Sequence, residues 1–320
     1  MSALLEVEDL AVRYEARGAT IRAVDGVGFS LARGEVLGIV GESGCGKSTL
    51  GRAILRLVDP AAGTIRFEGE DITRLGRREM VARRRDMQVV FQDPFGALNP
   101  RHRVAEIVGE PLAVHRVGDR ASRAARVAEL LALVGLPADA AGRYPHEFSG
   151  GQRQRIAIAR ALALEPRLLV ADEPVSALDV SIQSQVINLL AELRARLGLA
   201  MIFISHDLSV IRHVSDRIAV MYLGRIVEIG PADAVFDAPA HPYARALLSA
   251  VPQVDPARRR ERVLLSGEMP DPARPPSGCA FRTRCPMAQP ACAAQRPELA
   301  RRHVPGGAPR DAACHLLEVA

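Results

Sequence analysis

Gly41-Glu-Ser-Gly-Cys-Gly-Lys-Ser48 satisfies every fixed position of the phosphate-binding pattern GxxxxGK[ST]. Before it runs Glu35-Val-Leu-Gly-Ile-Val-Gly41, a short apolar stretch of the kind that forms a buried parallel strand. After it, Ser48-Thr-Leu-Gly-Arg-Ala-Ile-Leu-Arg-Leu57 carries leucine and isoleucine at helical spacing. Strand, glycine-rich turn and helix start bring backbone N–H groups and the positive end of a helix dipole to one point, which suits a phosphate. Lys47 is the only lysine among 42 basic residues. An ammonium is a compact point charge that fits between two phosphate groups, whereas a guanidinium is a planar fork. The stretch predicts an α/β nucleotide-binding fold, with Lys47 on the β- and γ-phosphates and Ser48 on Mg²⁺. Cys45 occupies an unconstrained position of the loop and reads as an ordinary small residue.

A second segment supplies acids. Arg167-Leu-Leu-Val-Ala-Asp172-Glu173 is an apolar strand ending in two adjacent carboxylates. Asp172, at the strand end, would hold Mg²⁺ directly or through water, and Glu173 would accept a proton from an attacking water. The alternative is an acid pair favoured by a helix N-terminus. Ahead of it, Phe148-Ser-Gly-Gly-Gln-Arg-Gln-Arg155 opens an apolar helix with a serine N-cap and two glycines, an outward-looking anion site. Gln92 ends the strand Met87-Gln-Val-Val-Phe-Gln92, Ser176-Ala-Leu-Asp179 follows the paired acids, and His206 follows the strand Ala200–Ser205. Any one of these singly is more often structural; the ordered set points to an ATPase.

Residues 4–235 in this order resemble the ATP-binding subunit of an ATP-binding cassette (ABC) transporter. The resemblance implies a P-loop NTPase cassette with an N-terminal β-subdomain, an inserted helical subdomain (about 93–155) and a small cysteine-containing C-terminal extension. It implies that Tyr14 stacks on adenine and that Gly41, Glu42, Ser43, Gly44, Cys45, Gly46, Lys47, Ser48 and Thr49 hold the phosphates. Ser48, Gln92 and Asp172 would serve Mg²⁺, Glu173 would be the catalytic base, and His206 the switch histidine on the γ-phosphate. Ser149, Gly150, Gly151 and Gln152 would touch ATP held by an opposite subunit, with Asp179 at the dimer seam. Phe148 stands where the family prefers leucine, an apolar-for-apolar change.

At 320 residues the chain has room for a domain and an appendage, or two domains. The expected division is a cassette over 1–236 and an extension over 237–320. The net charge is +5, but 37 acids are interspersed with the arginines. The densest basic runs, Arg83–Arg85 and Arg258–Arg260, read as solvated faces. The absence of tryptophan and the 4% aromatic content weaken any stacking platform for single strands, and no nucleic-acid partner is expected. No apolar stretch approaches the ~18 residues of a membrane span. Met1-Ser-Ala-Leu-Leu-Glu-Val-Glu-Asp9 lacks the basic start and apolar core of a signal peptide. The expectation is a protein peripheral on the cytoplasmic face of the inner membrane.

Gln92-Asp-Pro-Phe-Gly-Ala-Leu-Asn-Pro-Arg101, His241-Pro-Tyr-Ala-Arg-Ala-Leu-Leu-Ser-Ala-Val-Pro252, Ser266-Gly-Glu-Met-Pro270 and Pro275-Pro-Ser-Gly-Cys-Ala-Phe-Arg-Thr-Arg-Cys-Pro286 resemble the oligopeptide/dipeptide importers, in their second ("F") type of ATPase subunit. That implies a second ATPase subunit, two integral-membrane permease subunits and an extracytoplasmic solute-binding protein as partners. Nickel importers share the tail. The competing reading is a soluble ABC-type ATPase acting on nucleic acid or ribosomes, but the chain carries one cassette and no heptad run. Four prolines in Pro270–Pro276 look like a linker. Cys279, Cys285, Cys292 and Cys314 lack the tight Cys-x₂₋₄-Cys pair usual for zinc. Their wider spacing and Cys285-Pro286 suit a [4Fe–4S] cluster, which the resembled subgroup carries, with Arg282 and Arg284 offsetting its charge. Zinc and unligated thiols are the alternatives. Nucleotide binding is expected to be independent of this tail.

Overall fold

Three five-residue stretches, apolar but for one terminal aspartate, have every residue buried: Val36–Val40, Leu168–Asp172 and Ala200–Ile204. Strands covered on both faces by helices need that composition. The computed structural model describes residues 3–16, 18–251, 263, 265 and 267–320, and the chain divides into two units. One takes residues 1–32, 36–74 and 205–320, the other 33–35 and 75–204. Pro252, the basic run Arg258–Arg260 and Ser266 lie outside the described residues.

The first unit opens on β1 (Leu5–Ala16) and β2 (Ala19–Leu31), an antiparallel pair. Buried and wetter positions alternate along much of β2, as in a sheet with one solvated face. β3 (Val36–Val40) leads through the phosphate loop into α1 (Lys47–Ile54), and β4 (Ala62–Phe67) and β5 (Glu70–Asp71) extend β1 into a sheet of order β2-β1-β4-β5.

In the second unit α2 (Arg77–Arg84), β6 (Met87–Val90) and α3 (Pro94–Ala97) precede α4 (Val104–Val114) and α5 (Arg120–Leu133). Two 3₁₀ turns, Ala138–Gly142 and Pro145–Glu147, lead to α6 (Gly150–Ala161). β7 (Leu168–Asp172), α7 (Val180–Leu197) and β8 (Ala200–Ile204) follow, and β6, β7 and β8 are parallel neighbours. The helix-rich reading of the stretch after Asp93 holds. So does the stop of α7 at Gly198, which takes the left-handed conformation (φ 63°) and donates its N–H to the Arg194 carbonyl.

The chain then returns to the first unit with α8 (Leu208–Val214), β9 (Arg217–Tyr222), β10 (Arg225–Pro231), α9 (Ala232–Asp237), α10 (Pro242–Ser249), α11 (Pro290–Ala294), β11 (Ala300–Val304) and β12 (Gly307–Ala312). β9 lies parallel to β3, with Leu37 opposite Arg217 and Val40 opposite Val220. β12 pairs antiparallel with β10, Glu228 opposite Ala312, so the tail adds a hairpin to a strand that precedes it by some eighty residues. The proline stretch does not hang free: the Pro272 carbonyl accepts the Arg22 N–H of β2 at 3.4 Å. No helix among the described residues is long and apolar enough to cross a membrane.

One buried ion pair fastens the hairpin. The Glu228 carboxylate, wholly buried, accepts from Arg310 Nε at 2.7 Å and from the N–H groups of Ala240 and His241 at 3.0 and 2.8 Å. Arg310 is itself wholly buried and donates to the Ala238 carbonyl. Removing one member of such a pair strands a charge in the interior, at about 3–5 kcal/mol, whereas replacing both by apolar groups costs far less. Glu228→Gln is therefore expected to lower stability by ~3–5 kcal/mol in urea denaturation, and Arg310→Met combined with it to recover at least ~1 kcal/mol. A double variant no more stable than Glu228→Gln would show that the buried charge is not what is lost.

Candidate functional site

The phosphate loop of the first unit leaves β3 at Val40 and enters α1 at Lys47. Two glycines are required by close approach. A Cβ on Gly46, whose φ is 106°, would lie 2.1 Å from the Ala23 carbonyl oxygen, and one on Gly41 would lie 2.2 Å from that of Met221. Between them Ser43 and Gly44 are exposed at the tip. Lys47 is buried, and its Nζ donates to the carbonyls of Gly41 at 2.7 Å and Glu42 at 3.0 Å. Cys45 is buried and its carbonyl accepts the Gly224 N–H at 2.8 Å. Burial pushes its thiol pKa up, which suits an inert packing residue rather than a nucleophile. Ser48 and Thr49 fall in the first turn of α1, half-buried.

Glu42 is held by two residues to which the sequence reading gave no part in the phosphate loop. Its N–H donates to Tyr243 Oη at 2.9 Å. Its carboxylate accepts from both terminal nitrogens of Arg284, at 2.6 and 3.0 Å. Arg282 and Arg284, expected to offset the charge of a cluster, bond to other groups: Arg284 to Glu42, and Arg282 to the carbonyl and hydroxyl of Ser277. The available signal was a carboxylate inside a phosphate loop, which calls for a counter-charge. Elsewhere in this unit Tyr14 is partly exposed near the end of β1, opposite Ile21. His206 is exposed just ahead of α8, whose N-cap, Asp207, accepts from the N–H groups of Ser209 and Val210.

The second unit brings two of the expected catalytic residues together. Asp172 is buried at the end of β7. Glu173 follows in the left-handed region (φ 48°), its N–H donating to the Ile204 carbonyl at 3.0 Å. Gln92, two residues beyond β6, donates through Nε2 to Glu173 Oε2 at 3.2 Å. Ser149 caps α6 in a reciprocal box: its Oγ accepts the Gln152 N–H, and Gln152 Oε1 accepts the Ser149 N–H. Ser149 is exposed, Gly150 half-buried and Gly151 buried under Ile182, where a Cβ would come within 2.3 Å. Asp179 is exposed at the N-cap position of α7, without a side-chain cap bond. Phe148 is buried, with the Arg143 guanidinium 4.5 Å above its ring.

Of the tail cysteines, Cys292 and Cys314 are buried and the other two half-buried. The Cys279 N–H donates to the Cys292 carbonyl at 2.7 Å. Burial raises the thiol pKa of Cys279 and Cys285 and pushes that of Cys314 up to about 11, with the other cysteines adding to the rise. Among the described residues no group of three or more His, Cys, Asp or Glu side chains is arranged to hold a metal ion, so the four cysteines are not assembled as a metal site.

Comparison with known proteins agrees with this geometry. Residues 24–176 match the ABC transporter family and residues 227–292 the C-terminal region of oligopeptide/dipeptide transporters. A Brucella ovis protein named as a peptide import ATP-binding protein is 57% identical over 92% of this chain and 93% of its own length. The oligopeptide transport ATP-binding protein AppF of Bacillus subtilis is 54% identical over 95% of this chain and 92% of its own. Among solved structures, the dimeric ATP-binding cassette MJ0796, in a post-hydrolysis state with ADP and Pi, superposes with a TM-score of 0.66 at 31% identity, covering 71% of this chain and 98% of that one.

The residue beneath Tyr243 gives this region a pH dependence. His241 is buried, and its Nδ1 accepts the Tyr243 N–H at 3.1 Å, capping α10. Burial pushes its pKa from 6.5 down to about 3, with Arg245 adding to the fall. Between those values the unfolded chain binds the proton and the folded chain does not, so stability falls as pH drops through that window. His241→Asn keeps an N-cap acceptor and removes the titration. Urea midpoints measured from pH 7 to about 4 are expected to fall less steeply in this variant than in the unaltered chain. Parallel curves would exclude His241 as the source.

Proposed function

The chain belongs to the ABC transporter ATPases, in the group that carries the oligopeptide/dipeptide transporter C-terminal region, and from that membership we propose that it is a motor subunit for peptide import. The observation that carries this reading is the presence in one chain of both matched regions with every catalytic position filled. In the proposed cycle the N–H groups of the loop and Lys47 bind the phosphates of ATP, Tyr14 receives the adenine, and His206 meets the γ-phosphate. Glu173, oriented by Gln92, takes a proton from the water that attacks the γ-phosphorus, giving ADP and phosphate. Ser48, Gln92 and Asp172 would hold Mg²⁺, which neutralises charge on the β- and γ-oxygens.

Ser149–Gln152 present helix N-terminal donors with no lysine of their own, which fits a composite site closed by a second ATPase subunit, with Asp179 at the seam. The relatives' names support peptides as the solute, delivered through permease subunits from an extracytoplasmic binding protein, with this chain on the cytoplasmic face of the membrane. The expected division into a cassette over 1–236 and an extension over 237–320 is kept as part of the proposal. Glu173→Gln is expected to leave ATP binding intact and reduce turnover at least about a hundredfold, since an amide holds the water but cannot take its proton. The chain is also expected to co-purify with integral-membrane partners on detergent extraction. Near-normal turnover would remove Glu173 from the role of base, and sedimentation with ribosomes would replace the transport reading.

The four tail thiols are proposed to seat a [4Fe–4S] cluster of structural role. Four cysteines are the donor set of such clusters, and two of them, Cys292 and Cys314, are buried. Anaerobically purified protein is expected to be brown, with about four irons per chain. A colourless preparation with one zinc per chain would favour zinc instead.

A further inference from the structure

Glu42 places a carboxylate inside a loop built for a polyanion. It is gripped at three points: its N–H by Tyr243 Oη, its carbonyl by Lys47 Nζ, and its carboxylate by the two-pronged Arg284. The last contact spans 242 positions of sequence and joins a buried guanidinium, with the Arg284 side chain 6% exposed, to a half-buried carboxylate, that of Glu42 29%. A bidentate guanidinium both fixes the direction of a carboxylate and cancels its charge.

Where Arg284 points is decided by the cysteine-bearing turn. Its N–H donates to the Phe281 carbonyl at 3.0 Å, and the Arg282 N–H to the Cys279 carbonyl at 3.1 Å. Phe281 is buried against Tyr222, Tyr243 and His241, with ring centroids 5.3 to 5.7 Å apart. The turn that carries Cys279 and Cys285 is thereby packed onto the same tyrosine that holds the Glu42 N–H.

We propose that Arg284 is a positioning residue for nucleotide binding: by neutralising and aiming Glu42 it keeps the phosphate loop receptive to a triphosphate, and it makes nucleotide affinity depend on the order of the cysteine turn. This replaces the expectation that the tail is indifferent to nucleotide. It rests on nucleotide binding at the loop and not on which solute is carried.

The test is equilibrium binding of a fluorescent ATP analogue to the full chain. Arg284→Met leaves Glu42 as an uncompensated anion beside the phosphates and is expected to weaken binding at least about tenfold. Adding Glu42→Gln removes that anion, so the double variant is expected to bind within about threefold of the unaltered chain. Binding by Arg284→Met within about threefold of the unaltered chain, or a double variant no tighter than Arg284→Met, overturns the proposal. Cys285→Ser loosens the turn and is expected to weaken binding about fivefold or more in the unaltered chain, but less than about twofold in the double variant. Equal losses in the two backgrounds overturn the dependence on the cysteine turn.

Discussion

Two carbonyl oxygens leave the phosphate loop no choice of shape. Those of Ala23 in β2 and Met221 in β9 occupy the space that side chains at Gly46 and Gly41 would need. The loop must wrap between them with its backbone, and only glycine permits that approach. Once it does, the neighbouring groups fall into order. The Gly224 N–H reaches the Cys45 carbonyl, Lys47 folds back over the carbonyls of Gly41 and Glu42, and α1 starts with its N–H groups directed at the loop. The parallel register of β3 against β9 supplies Met221, and the turn through Leu223 and Gly224 supplies the final clamp. A phosphate site of this kind is a property of several strands acting on one turn, and the octapeptide is only its most visible part.

The division between lysine and arginine follows from the same geometry. Lys47 works among carbonyl oxygens, where a rotatable ammonium with three donors can satisfy two acceptors at once. Arg310 meets Glu228 in a dry setting and Arg284 meets the half-buried Glu42, and in both the rigid fork loses less freedom per hydrogen bond. A chain that uses arginine everywhere else keeps its single lysine at the one site where the fork would fit badly.

The local parts of this architecture were legible in the sequence. β3, β7 and β8 announce themselves as apolar runs, α7 as a periodic helix with a glycine stop, and Ser149 as an N-cap, because each is decided by residues within one turn or one strand. The non-local parts were not. The hairpin of β11 and β12 is written in arginine, alanine, proline and glycine, and it becomes a sheet edge only because Glu228, far upstream, waits for Arg310. Arg284 reads from sequence as a counter-charge for the cysteines beside it, since nothing near it in the chain reveals Glu42. Proline-rich composition likewise suggests a loose linker, whereas Pro272 gives its carbonyl to β2, an interaction that needs no N–H of its own.

Glu173 shows what the architecture does with strain. A non-glycine residue in the left-handed region costs about 1–3 kcal/mol and persists only when its surroundings over-determine it. Here the Ile204 carbonyl holds its N–H and Gln92 holds its carboxylate, against the extended backbone that Pro174 favours for the residue ahead of it. The neighbouring Asp172 ends its strand buried, so two consecutive carboxylates are sent into different environments by one unusual dihedral. Relaxing Glu173 to an extended φ would redirect its side chain and break the contact with Gln92. The strained backbone is thus the device that separates a buried acid from a more accessible one at adjacent positions, and the same separation is what lets two neighbouring carboxylates take the different tasks proposed for them.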